Sequence, residues 1–227
     1  MATMQPARAE RAARTPLSPQ RVLHAALALA DADGIGALTM RSLAEALAVQ
    51  PLAIYHHIAG KEQILDGIID LVFAEITQPT ADTPWRDGLA QRAASVRGVL
   101  GRHPWAIGLM ESRRSPGPAT LRHHENAIAL LRRDGFTIPA VAHAIAFFDA
   151  YVYGFVLQEV SLPFDGPDEV AELAEEVLAQ MPVEEYPYFV EFAQQHVMQP
   201  GYDFGDEFAI GLTMVLDAIA RLPGASR

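Results

Sequence analysis

Cysteine is absent from the 227 residues. That excludes disulfides, thiolate metal sites and cysteine nucleophiles, and leaves the fold to rest on packing alone. Lysine occurs once, as Lys61, and from position 134 to 220 there is neither lysine nor arginine. That stretch therefore has nothing to set against a phosphate backbone. No uninterrupted apolar run approaches the roughly 18 to 20 residues needed to span a bilayer, and residues 1–14 lack the apolar stretch of a secretory signal. A cytoplasmic chain with no membrane partner is expected. Period-two alternation is missing too, so the expected fold class is all-α.

Signatures of the commoner catalytic and metal sites are also missing. His103, His123, His124, His143 and His196 are scattered, with no HExxH and no histidine–carboxylate spacing that points to a zinc triad. Neither a phosphate-cradling Gly-rich loop nor a GxSxG elbow occurs. No catalytic residue, cofactor or metal is expected.

What is present is an apolar chain with an uneven charge distribution. Half the residues are hydrophobic, enough for a sizeable core. The net charge of -11 argues against nucleic acid when taken as a sum. Its distribution argues less strongly, because residues 1–61 hold six basic side chains against four acidic ones, while acids such as Glu169, Glu172, Glu175 and Glu176 gather later. One end tolerates a polyanion and the other repels it.

Helical spacing of apolar residues runs almost throughout. Ser18 as N-cap and Pro19 at the first helical position open a helix that Gly34 and Gly36 close. Thr39 caps a short second helix carrying Leu43, Ala44 and Leu47. After a turn at Ala48 and Val49, Pro51 opens a third that runs to Ile58, and 61–76 forms a longer fourth. The segment 77–84 (TQPTADTP) reads as a linker. Further helices are expected over 85–102, 119–134, 139–162, 168–179, 187–197 and 204–222, with loops at 112–118 and 163–167.

Three short helices, the last two separated by a tight turn, have the pattern of a helix-turn-helix, whose second helix enters the major groove by its N-terminal end. Here that end is Gln50, Pro51, Leu52 and Ala53, followed by Tyr55, His56 and His57. Helical hairpins that never touch DNA fit the same pattern. The segment 37–68, ALTMRSLAEALAVQPLAIYHHIAGKEQILDGI, decides between them. It resembles the DNA-binding signature of the tetracycline-repressor (TetR) family of bacterial regulators, in which Leu-Thr-x-Arg-x-Leu-Ala, a turn, Tyr-x-His and Lys-Glu recur in this order. The later chain is more loosely similar to that family's C-terminal domain at Trp85-Arg86, His103-Pro104-Trp105, Pro116-Gly117-Pro118, Gly135-Phe136 and Tyr153-Gly154-Phe155.

The resemblance implies roles. Arg41 matches a position that reaches a base edge or phosphate, and Tyr55 one that donates its hydroxyl to phosphate. Thr39 both caps its helix and touches phosphate. Lys61 faces phosphate from a helix N-terminus. His57 faces the DNA backbone, whereas His56 either joins it or packs inward. Gln50, Leu52 and Ala53 are the specificity candidates, through adenine or thymine methyl contacts. Many relatives carry Gly at Ala48 and Ser or Thr at Gln50, so a slightly strained turn and a less well capped recognition helix are expected. Arg8, Arg11 and Arg14 either sweep the minor groove or belong to a flexible tail, residues 1–16, without a role.

The expected organisation is a DNA-binding domain over 17–76, a linker over 77–84 and a regulatory domain over 85–222. The resemblance implies a small-molecule effector pocket in the last of these, expected to be lined by Trp105, Met110, Phe147, Phe148, Tyr151 and Phe155, with Asp149 or Gln158 as polar anchors. It also implies a homodimer through residues 139–162 and 204–222, with Ile210, Met214 and Ile219 as contacts, that binds a palindromic double-stranded DNA operator as a repressor. A ligand-independent DNA-binding regulator and a helical enzyme are the alternatives.

Overall fold

The structure, a computed structural model, describes residues 16–164 and 166–224; Arg8, Arg11 and Arg14 lie outside them. Every regular element among the described residues is helical. The chain divides into two compact units, with the boundary between Ile68 and Ile69.

The first unit holds α1 (Pro19–Asp33), a 3-10 turn at Ile35–Ala37, α2 (Met40–Leu47), α3 (Pro51–Tyr55) and the first half of α4 (Lys61–Glu75). Ser18 caps α1, its side chain accepting from the Arg21 amide at 3.2 Å. Gly34 ends that helix at φ 78°, a conformation that favours glycine. Thr39 and Ser42 form a reciprocal capping box at the start of α2, each side-chain oxygen accepting from the other's amide at 3.0 Å. Val22, Ala26, Leu43, Leu47, Ile54, Ile64 and Ile68 fill the core. Gly67 lets α1 and α4 approach closely, since a Cβ there would lie 2.5 Å from Leu23 Cδ2. The recognition helix is shorter than its sequence suggests, because α3 stops at Tyr55 and leaves His56 and His57 in a turn.

The second unit comprises the rest of α4, then α5 (Trp85–Arg102), a 3-10 turn at Pro104–Ala106, α6 (Ile107–Met110), α7 (Pro118–Arg133), α8 (Ile138–Glu159), α9 (Pro167–Gln180), α10 (Pro187–Phe192) with a π-helical continuation over Ala193–Val197, and α11 (Glu207–Ile219). At its centre is α8, which packs on α5, α7 and α11 through Ala144, Phe148, Val152 and Val156. Its length and apolarity would suffice to cross a membrane, but those side chains are core. Residues 77–84 are held by hydrogen bonds to α5 and α7: the Thr77 amide donates to Ser95 Oγ at 2.8 Å, Asn126 Nδ2 to Gln78 Oε1 at 3.2 Å, and Arg133 Nη1 to the Ala81 carbonyl at 3.1 Å.

Candidate nucleic-acid interface and regulatory cavity

Capping and turn geometry expose the expected DNA-reading residues. Thr39, Arg41, Gln50, Pro51, Leu52, Tyr55, His56, His57 and Lys61 are all exposed and Ala53 is half-buried. His56 therefore does not pack inward; only Ile54 and Ile58 of this segment do. Leu52, 70% exposed at the first turn of α3, is an apolar side chain held in water, as a residue meant for a thymine methyl would be. Arg41 Nε donates to Glu45 Oε1 at 3.1 Å, one turn along α2. That exposed pair is weak and readily exchanged for another anion. The two expected departures are visible. Ala48 takes up the left-handed conformation, φ 53° and ψ 45°, and Gln50 caps α3 without a side-chain hydrogen bond.

In the second unit, α4 is clamped to its neighbours by charge and ring packing. Asp70 accepts from both the amide and the hydroxyl of Thr120, at 2.8 and 3.0 Å, and so supplies an anion to the first turn of α7. Glu75 accepts from Arg102 at 2.6 Å and bonds His103 Nε2 at 3.2 Å. Phe73 is buried between rings, with centroids 4.8 Å from His123 and 5.8 Å from His124.

Between α7 and α8 lies a cavity of about 680 Å³, within the range of small-molecule sites. Ile128 on α7 and Ile138, Val141, Ile145 and Ala146 on α8 make its apolar wall, and Glu111, His124, Asp149 and Tyr153 its polar one. Burial dominates the electrostatics there. It pushes the Asp149 carboxyl up to about 6 against the pull of Arg92, raises the Tyr153 phenol, lowers His124, and drives His123 behind them down to about 2.

The cavity collects none of the six side chains expected to line it. Met110 and Phe148 are buried in the core, Phe147 is exposed, and Trp105 packs edge-on to His103 at 6.3 Å. Tyr151 and Phe155 turn instead toward α11. Tyr151 stacks on Phe208 at 5.7 Å and donates to the Phe208 carbonyl at 2.8 Å, while Phe155 lies 5.0 Å from Phe208. Both border a separate hollow of about 390 Å³, together with Gln158, Ile210 and Met214. Of the two polar anchors, Asp149 lines the larger cavity and Gln158 does not. Ile219 is fully buried within the chain and has no surface to offer a partner. Sequence reasoning gave no place in the cavity to Arg92, His124 or Tyr153. The signal for Arg92 was present: it sits between Leu89 and Val96 on the apolar stripe of α5, where a charge has no ordinary place.

A helix-turn-helix with an exposed second helix, followed by an all-helical unit with an open cavity between two of its helices, defines a DNA-binding transcriptional regulator. Residues 22–68 match the model for bacterial regulatory proteins of the tetR family, and residues 78–222 match that for the tetracycline repressor-like C-terminal domain. The chain belongs to the TetR family. It is 30% identical to the transcriptional repressor DrrR1 of Streptomyces coeruleorubidus, over 97% of this chain and 83% of that protein. It is 32% identical to the class A tetracycline repressor of Escherichia coli transposon 1721, over 64% and 68%. The crystal structure of Streptomyces coelicolor ActR in complex with (S)-DNPA superposes with a TM-score of 0.70 at 25% identity, covering 93% of this chain and all of that one.

Proposed function

We propose that this protein is a homodimeric repressor that occupies a palindromic operator and leaves it when a small molecule enters the cavity between α7 and α8. The observation that carries the reading is the joint exposure of nine of the ten side chains expected on DNA, all but the half-buried Ala53, gathered on the surface of one small unit around α2, α3 and the start of α4. Thr39, Tyr55, His57 and Lys61 position the phosphates, Arg41 reaches a base edge or phosphate, His56 flanks them, and Gln50 to Ala53 read bases. In functional terms, residues 17–76 read DNA, 77–84 join, and 85–222 regulate and dimerise.

Two-fold symmetry follows from the small footprint of one recognition helix. Phe147 and Leu157 on α8 and Ile210 and Met214 on α11 are exposed, Met214 by 66%. Apolar surface of that extent suits a bundle in which two chains each contribute residues 139–162 and 204–222. Repression and effector release are taken from the relatives named above: two bear the name repressor, and one was solved with a bound small molecule. Such a regulator works in the cytoplasm, where its operator lies.

The test is a titration of the purified chain against a labelled fragment of the DNA upstream of its own gene, with the mass of the complex measured by sedimentation. Two chains per fragment, resistant to excess unrelated DNA, are expected. A monomer that binds as tightly, or loss of binding to unrelated competitor, contradicts the reading.

A further inference from the structure

Along α8 the residues that line the cavity change character. Ile138, Val141, Ile145 and Ala146 come first, and Asp149 and Tyr153 follow, one turn apart on the same stripe. At 1.5 Å per residue, the apolar part from Ile138 to Ala146 runs for roughly 12 Å. Glu111 acts through space on Asp149, Tyr153 and His124, which gathers these groups at one end. The cavity is apolar at one end and acidic at the other.

Negative charge outweighs positive at the acidic end. Glu111 and Asp149 line it, and no lysine or arginine does. Burial lowers the His124 imidazole, which is therefore uncharged at neutral pH. Arg92 lies behind the wall, 2% exposed and held by the His123 carbonyl at 2.8 Å, and offsets one of the two acids through space. Asp149, at about 6, is still largely ionised at neutral pH. Burial, Arg92 and Glu111 alone set its state, with no hydrogen bond to its carboxylate. A half-buried anion without a donor, facing an apolar hollow, lacks the partner that would offset its desolvation.

We infer that the effector is an organic cation, an apolar body lying along the first half of α8 and ending in an ammonium or similar group that donates to the Asp149 carboxylate, with Glu111 adding attraction. The inference rests on the cavity being the effector site. A charge-assisted N–H···O bond in a water-poor site favours such a group over a hydroxyl, and the same two acids repel a carboxylate.

Naphthylethylamine and naphthylethanol, alike in shape and differing in an ammonium against a hydroxyl, are the probes, titrated calorimetrically into the full chain. At neutral pH the amine is expected to bind about tenfold more tightly. Asp149→Asn keeps the shape and removes the charge, and is expected to lose most of that preference while keeping the alcohol's affinity. In the parent protein the preference is expected to shrink about tenfold between about pH 7 and about pH 5. Asp149 takes up its proton in that range, and any charging of His124 or neutralisation of Glu111 acts in the same direction. Arg92 stays charged, and Tyr153 and His123 stay neutral. Equal affinities in the parent, a preference undiminished in Asp149→Asn, or one unchanged by pH overturns the inference. Equal binding of both probes that Ala146→Trp abolishes leaves the cavity standing as the effector site and removes only the choice of a cation. No binding of either probe removes both.

Discussion

The ring of Phe73 on α4 lies 5.8 Å from that of His124, which lines the cavity on α7. The same helix begins at Lys61, beside the recognition segment. A molecule that moves His124 therefore presses on a helix whose other end carries a proposed phosphate contact. Its effect on DNA affinity is limited to its preference for the non-binding conformation, about 2.7 kcal/mol for a hundredfold preference.

The clamp of α4 on α7 is open to direct measurement. Asp70→Asn removes the anion at the first turn of α7 and should lower stability by about 1 to 2 kcal/mol in urea unfolding. Gly117→Ala should cost at least as much, because its Cβ would lie 2.3 Å from Asp70 Cγ. An unchanged unfolding midpoint in both would show that Asp70 does not hold α7.

On the DNA side, Arg41→Ala and Tyr55→Phe should each weaken operator binding with the dimer intact, by about 1 to 3 kcal/mol if Arg41 reads a base. Lys61→Ala should weaken specific and non-specific DNA alike and flatten the dependence of affinity on salt. Fluorescence anisotropy at several salt concentrations separates the two patterns. A Lys61 variant with the parent salt slope would take that residue off the phosphates.

Ala48→Gly should raise stability by about 1 kcal/mol, because the left-handed backbone at this position penalises a Cβ. A lower thermal midpoint in the glycine variant would mean that the turn relies on the alanine side chain.

The buried cluster sets an opposing pair of pH dependences. Asp149 holds its proton more tightly folded, at about 6 against 3.8 in its ordinary state, so its contribution is present below about pH 3.8 and lost as pH rises through 6. His123 stays neutral folded, from an ordinary 6.5 down to about 2, so its contribution is present above pH 6.5 and lost as pH falls. The two slopes offset each other between about pH 4 and 6. Asp149→Asn should therefore gain about 1 to 3 kcal/mol above pH 6.5 and nothing near pH 4, leaving the variant steeper in acid than its parent. A gain independent of pH in denaturation series would show that Asp149 is ionised throughout.

Local chemistry made much of this legible in the sequence. Ser18, Pro19, Thr39, Pro51 and Gly34 act within one turn of themselves, and the helix boundaries they mark agree with the structure to within a few residues. The strain at Ala48 and the bare cap at Gln50 were also readable, since each concerns one residue's own backbone. The cavity lining was not, because it depends on which way α8 rolls. Phe147 and Phe148 are neighbours, yet one is exposed and the other buried, and Tyr151 faces α11 while Tyr153 faces the cavity. Apolar residues populate every face of α8, so periodicity could not choose between them. Arg92 stood out only by its charge within an apolar stripe.

Hydroxyl-radical footprinting of the DNA upstream of the gene, with the parent protein and with Arg41→Ala, tests the reading of DNA by α2 and α3 most directly. The expected result is a protected site with two-fold symmetry, its half-sites one helical turn or a multiple apart, which fades in the variant at the same protein concentration. A single asymmetric footprint, or one that the variant reproduces unchanged, would contradict it.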